Sequence, residues 1–148
     1  MNLLTTCLLK ERNKNMTQKE NTGLLILRIT FGILLLLHGI HKILNGIAGI
    51  KDALAGYGIP EIFGYGVYFG EVVGPLLVIV GFRTRIGALL MTINMLVAIL
   101  LMHAGEILSI NDHGAWAVET PALYLFGALA LVFTGGGKYA VSGSNRWD

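Results

Sequence analysis

Ionisable residues set inside long apolar stretches constrain this chain more than anything else in it. There are four such stretches, and Arg28, His38, Glu71 and His103 fall within them or at their edges. A charged side chain in a bilayer costs from roughly 3 to more than 10 kcal/mol, depending on how far lipid and water relax around it. Such residues persist where they pair, face a bundle interior or line a pathway. The pattern predicts an all-α integral membrane four-helix bundle whose function lies in the buried polar set.

The spans are expected over about 23–44, 62–81, 86–102 and 116–133, so that residues 23–135 form one membrane domain. Only 14% of the 148 residues are charged and 54% are hydrophobic, whereas a soluble domain carries about 25% charge. The solvent for these faces is therefore the lipid bilayer. A net charge of +2, scattered along the chain, gives no basis for nucleic acid as a partner. Cys7 is the single cysteine, which excludes an internal disulfide and a Cys-x-x-Cys pair, so the chain's own thiols are no vehicle for redox chemistry.

Loop charges set the orientation. Lys10, Arg12, Lys14 and Lys19 precede the first span, Arg83 and Arg85 join the second to the third, and Lys138 and Arg146 follow the fourth. The loop after the third span holds Glu106 and Asp112 but neither Lys nor Arg. The positive-inside rule then puts both termini, the 1–22 segment and the 136–148 tail, on the cytoplasmic side of a bacterial-type inner membrane. Leu3-Leu4 and Leu8-Leu9 lack the basic flank and cleavage site of a signal peptide. Met16 as the natural start, with residues 1–15 extra, stays open beside a native 1–15 segment.

Between the first two spans, Ile47, Ile50, Leu54 and Tyr57 recur at helical spacing, which predicts a short helix lying at the outer interface. Gly56, Gly58 and Pro60 end it. Pro75 is expected to kink the second span. Gly66, Gly70 and Gly74 offer another helix a close approach, although glycine is common in membrane helices generally.

A rise of about 1.5 Å per residue places Arg28 in the inner leaflet and His38 roughly 15 Å further out. Glu71 and Asn94 fall near the midplane, and His103 and Glu119 at the outer edge. These residues are expected to form a polar column from the inner leaflet to the outer surface. Arg28, His38 and Lys42 lie within an arc of about 80° at 100° per residue, and Glu71 shares a face with Gly64, Tyr68 and Gly74. Glu71 and Arg28 are the catalytic candidates, an ion pair between them being sterically reasonable. Snorkelling of Arg28 to cytoplasmic phosphates is the competing reading, and His41 and Lys42 read as outer-interface anchors. His38, Asn94, His103 and Glu119 are the candidate ligand-binding set. His38-x-x-His41 has no acidic or thiol companion within a turn, so no metal site is expected. Haem between His38 and His103 is a weak reading, since histidines at helix ends are common without it.

The segments LRITFGILLLLHGIHKILNG, GYGIPEIFGYGVYFGEVVGPLLVIVGFRTRIGALL and ETPALYLFGALALVFTGGGKYAVSG resemble the DoxX family of small membrane proteins. Arg28, Gly39, Lys42 and Gly46 match that family's first-span pattern. Glu71, Gly74, Gly81 and the Arg83-Thr84-Arg85 run match its second, and Glu119 matches the acidic residue that opens its last span. The tail departs from the family: Gly135-Gly136-Gly137-Lys138 lacks the usual proline, and the aspartate expected after Ser142 is missing. The resemblance implies a four-helix membrane bundle, often an oxidoreductase component, linked in some members to thiosulfate:quinone oxidoreduction and in others to thiol or oxidative stress.

Together these features point to a subunit of a quinone-linked membrane oxidoreductase. An apolar cavity between helices with few convergent polar groups suits a quinone. Glu71 would accept or relay a proton, Arg28 would hold its charge, and His38 and Asn94 would bond the quinone oxygens. The sequence carries no Gly-x-Gly-x-x-Gly and no cysteine cluster, so electrons would come from a soluble or membrane redox partner. A homo-oligomer is compatible with the same features. The alternative is a non-catalytic assembly factor or scaffold whose buried charges fix helix register and partner choice.

Overall fold

A computed structural model describes the backbone of residues 3–112, 114–142 and 147–148, with side chains from Thr17 onward. The side chains of Cys7, Lys10, Arg12 and Lys14, together with Arg146, lie outside the described residues. Helix α1 runs over Leu3–Asn45, and its Thr17–Asn45 portion is long and apolar enough to cross a membrane. It begins well before the expected position 23 because nothing between Thr17 and Thr22 breaks a helix. There the Asn21 amide donates to the Thr17 carbonyl at 2.6 Å and the Thr22 hydroxyl to the Gln18 carbonyl at 3.0 Å.

Helix α2, Ala48–Gly56, is the expected short helix. Ile47 and Leu54 are buried, and Ile50 faces Gly64, whereas Tyr57 remains exposed. Gly58 has φ +71, the left-handed conformation that glycine adopts without a Cβ penalty. Its N–H bonds Ala55 and that of Ile59 bonds Leu54, both at 2.9 Å, which satisfies the last carbonyls of α2.

The second span, Glu61–Val80, changes helical geometry twice. A 3-10 turn covers Glu61–Gly66, a π segment Phe69–Val73, and an α-helix, α3, Gly74–Val80. Pro75 explains the middle change. Lacking an N–H, it cannot bond the Glu71 carbonyl four residues back, and the backbone widens through that turn. The effect of Pro75 is thus a π segment centred on Glu71.

Helix α4, Thr84–Met102, follows a tight turn, and α5 spans Glu119–Thr134. The expected start of the last span at 116 moves to 119 because the chain first folds back on itself. Asn111 N–H bonds the Ala115 carbonyl at 2.8 Å and Ala117 N–H bonds Ser109 at 3.0 Å. At 16 residues, α5 is about 24 Å long, shorter than the three membrane-length helices.

Helix α4 lies between the second span and α5, while α1 closes the bundle against both. Leu35, Val78, Met91, Ala128 and Leu131 fill the interior. Leu37, Phe69, Val97, Leu100 and Phe126 point outward and exposed. Large apolar side chains covering the outside, over helices of this length, mark a multi-pass membrane protein. Gly70 and Gly74 supply the expected close approach: a Cβ on Gly70 would overlap the Asn94 side chain, and one on Gly74 would lie 2.8 Å from the Gly87 carbonyl. Gly66 does not join them, since its Cβ would meet nothing within 4 Å.

The segment after α5 folds across the end of the bundle. Ser142 N–H bonds the Gly81 carbonyl at 3.0 Å, Lys138 N–H bonds the Asn21 side chain at 2.7 Å, and Arg85 N–H bonds the Trp147 carbonyl at 3.3 Å. The tail is thereby part of the fold.

Candidate functional site

The widened turn at Glu71 and the glycine at position 39 build the site together. A Cβ on Gly39 would collide with the Glu71 carbonyl, so only glycine lets α1 come this close. One turn further along α1, the Lys42 ammonium reaches both Glu71 carboxylate oxygens at 2.5 Å. The Asn94 amide donates to the same carboxylate at 3.3 Å, and the Tyr68 hydroxyl donates to the Lys42 carbonyl at 3.2 Å. Glu71 is 3% exposed, so a cation and an amide hold its charge where water cannot.

This triad borders a cavity of about 580 Å³ in the half of the bundle that contains the α1–α2 connection. Its walls are largely apolar. The polar groups that reach it are those of Lys42, Glu71, Asn94, His38, His103, Thr120 and Tyr124. The His38 ring meets Tyr124 edge-on at 5.9 Å, and Tyr124 in turn meets Phe31 at 5.8 Å. His103 sits at the rim, its Nδ1 3.1 Å from the Glu106 carboxylate.

Arg28 does not pair with Glu71, which corrects the expected ion pair, and it does not snorkel either. It is 1% exposed. Its Nε donates to the Val78 carbonyl at 2.9 Å, Nη2 to Ile79 at 3.1 Å and Nη1 to Gly136 at 2.8 Å. Val78 and Ile79 end α3, where carbonyls lack helical partners and carry the negative end of the helix dipole. Antiparallel register explains the mismatch, because Gly39 is the α1 residue level with Glu71 and Arg28 lies about 16 Å further along. Gly81, with φ +77, leaves the space that the guanidinium occupies.

The expected polar column is therefore two separate centres. Between them lies the apolar layer of Leu35, Val78 and Met91. Lys42, read as an interface anchor, proves to be the partner of Glu71. Its place on the same arc as Arg28 and His38, three residues after a glycine, was the available signal. Tyr124 was missed, since aromatic residues in membrane helices carry no such mark, and Tyr68 was placed on the face of Glu71 without a role. Glu119 is exposed at the first turn of α5 and outside the cavity wall, to which its neighbours Thr120 and Pro121 belong. His41 points away, its ring 3.2 Å from the Asn45 amide. Among the described residues, no three His, Cys, Asp or Glu side chains gather as a metal site would require.

The roof of the cavity is α2. The Lys51 ammonium donates to the Tyr65 hydroxyl at 3.2 Å and lies 4.9 Å from the centre of that ring. The Tyr65 hydroxyl pushes the Lys51 pKa above the ordinary lysine value. This contact pins α2 to the 3-10 turn of the second span.

A family model described as DoxX matches residues 23–104, more than half of the chain. The matched stretch contains Lys42, Glu71 and Asn94 and ends before α5. No curated protein and no solved structure matches the chain.

Proposed function

Because this chain belongs to the DoxX family, we propose that it is a subunit of a quinone-linked membrane oxidoreductase and that the cavity beside Glu71 receives the quinone. The carrying observation is the Lys42–Glu71–Asn94 triad on the wall of an apolar cavity of about 580 Å³. That volume falls in the range of small-molecule sites, which are mostly apolar with a few convergent polar groups. Ring oxygens of a quinone would find donors on Lys42, Asn94 and His38. Glu71 would take up or pass on a proton, with Lys42 holding its charge in the role the sequence suggested for Arg28. Electrons would come from a partner protein.

The proposed setting is the cytoplasmic membrane of a bacterial-type cell with both termini inside. Lys19, Arg83, Arg85 and Lys138 gather at one end of the bundle, while residues 103–118 at the other carry no Lys or Arg, which supports this orientation.

Mass spectrometry of the organic extract from gently purified protein tests the assignment. Near-stoichiometric quinone, depleted in Glu71→Gln, is the expected result. Bulk phospholipid alone, identical in both proteins, would count against it and favour a scaffold. The scaffold reading draws on the contacts of Gly70 with Asn94 and Gly74 with Gly87, which serve helix register whether or not a ligand binds.

A further inference from the structure

We infer that the cavity is filled sideways from the outer half of the bilayer, through a gap between the second span and α4, and that its ligand is an amphiphile with a compact polar head and an apolar tail. The inference rests on the cavity being a ligand site, as proposed above, and adds the route and the shape of the molecule.

Three observations carry it. First, the second span and α4 separate toward the outer end. The π segment and α3 pack on α4, but the 3-10 turn Glu61–Gly66 packs on α2. Gly70, four residues beyond that turn, packs closely on Asn94 of α4. Second, the cavity reaches the surface there. Phe63 and Phe69 on one lip are 66% and 60% exposed, and Ile93 and Val97 on the other are each 51% exposed, yet all four line the cavity. These exposed apolar lips lie on the membrane-facing surface, so what they open onto is acyl chain. Third, Gly66, between Phe63 and Phe69 along the same lip, has nothing within 4 Å of where its Cβ would be, so no neighbouring side chain fills the space beside it.

Toward the outer aqueous face the cavity is partly covered, with His103 and Thr120 left at its rim. Ile50 and Leu54 of α2 roof the cavity, and Lys51 holds the roof down through Tyr65 and through Glu61 at 3.9 Å. The polar triad lies at the inner end of the gap. A molecule in this site would put a compact hydrogen-bonding head against Lys42 and Asn94 and leave an apolar tail lying between the lips. Apolar lips continuous with the cavity wall suit such a tail.

The test uses the full-length protein in lipid nanodiscs and two photolabels: a benzoquinone with a ten-carbon chain ending in a diazirine, and the same ring carrying the diazirine without the chain. The chain-bearing label is expected to cross-link saturably to peptides containing Phe63, Phe69, Ile93 or Val97. Gly66→Trp fills open space and should cut that labelling at least tenfold while leaving the melting temperature unchanged. Val97→Trp, on the opposite lip, repeats the blockade should Gly66→Trp fold poorly. Saturable labelling of the cavity by both compounds, unaffected by either tryptophan, overturns the lateral route and keeps the cavity as a ligand site. No saturable labelling by either compound overturns both.

Discussion

Gly39 lies against the carbonyl of Glu71, and that contact sets Lys42 level with the Glu71 carboxylate. The polar centre thus depends on a residue that has no side chain. Gly39→Ala should force α1 away from the π segment and cost about 1–3 kcal/mol, the usual range for overpacking. A lower melting temperature in detergent, together with weakened quinone retention, would be the matching pair of results. An unchanged melting temperature would show that the two helices can part freely.

Removing one member of a buried ion pair is more damaging than removing both. Lys42→Met should destabilise the protein by about 3 kcal/mol, near the lower end for such pairs because Lys42 also borders the cavity. Adding Glu71→Leu to it should restore most of that loss. Denaturation of the two single variants and the double variant measures the coupling directly. Additive effects would mean that the pair contributes no mutual stabilisation.

Arg28→Met strips hydrogen bonds from the carbonyls of Val78, Ile79 and Gly136. Each buried acceptor left unpaired costs about 1–3 kcal/mol. Because one of the three belongs to the tail, protease sensitivity should rise first after Gly135. Limited proteolysis followed by intact mass reads this out. Arg28→Lys should fall between the two proteins, since an ammonium lacks the planar fork that meets carbonyls in different directions.

Gly70→Leu would drive a side chain into Asn94. It should separate the second span from α4 and lower the yield of folded protein, whereas Glu71→Gln keeps an acceptor for the part-exposed Lys42 ammonium and should cost some stability, leave the fold assembled and act on ligand retention. Size-exclusion profiles of the two variants distinguish these outcomes. A well-behaved Gly70→Leu would show that the contact is dispensable.

Much of the architecture was legible in the sequence because a bilayer leaves few alternatives. A run such as Leu24–Leu37 has one use, and the 47–57 periodicity announced α2. The shared face of Gly64, Tyr68, Glu71 and Gly74 does turn inward, with Tyr68 half-buried and the other three buried. What escaped reading was register between helices. Backbone carbonyls have no sequence signature, so the partners of Arg28 could not be seen, and a charge at position 71 looked like its natural mate. The π segment adds to the difficulty, since a fixed 100° per residue no longer holds across Phe69–Val73. The fold-back at 109–117 likewise arises from local backbone bonds, which apolar counting does not detect.

The seat of Arg28 also has an order in time. Its guanidinium belongs to α1, two of its carbonyls belong to the second span, which is made after it, and the third is contributed 108 residues later. Throughout synthesis the growing chain carries a cation that is not yet fully coordinated. Only a polypeptide translated through Gly136 and folded back onto α1 can quench it. Closure of the bundle around α1 in this way waits on the segment that follows α5.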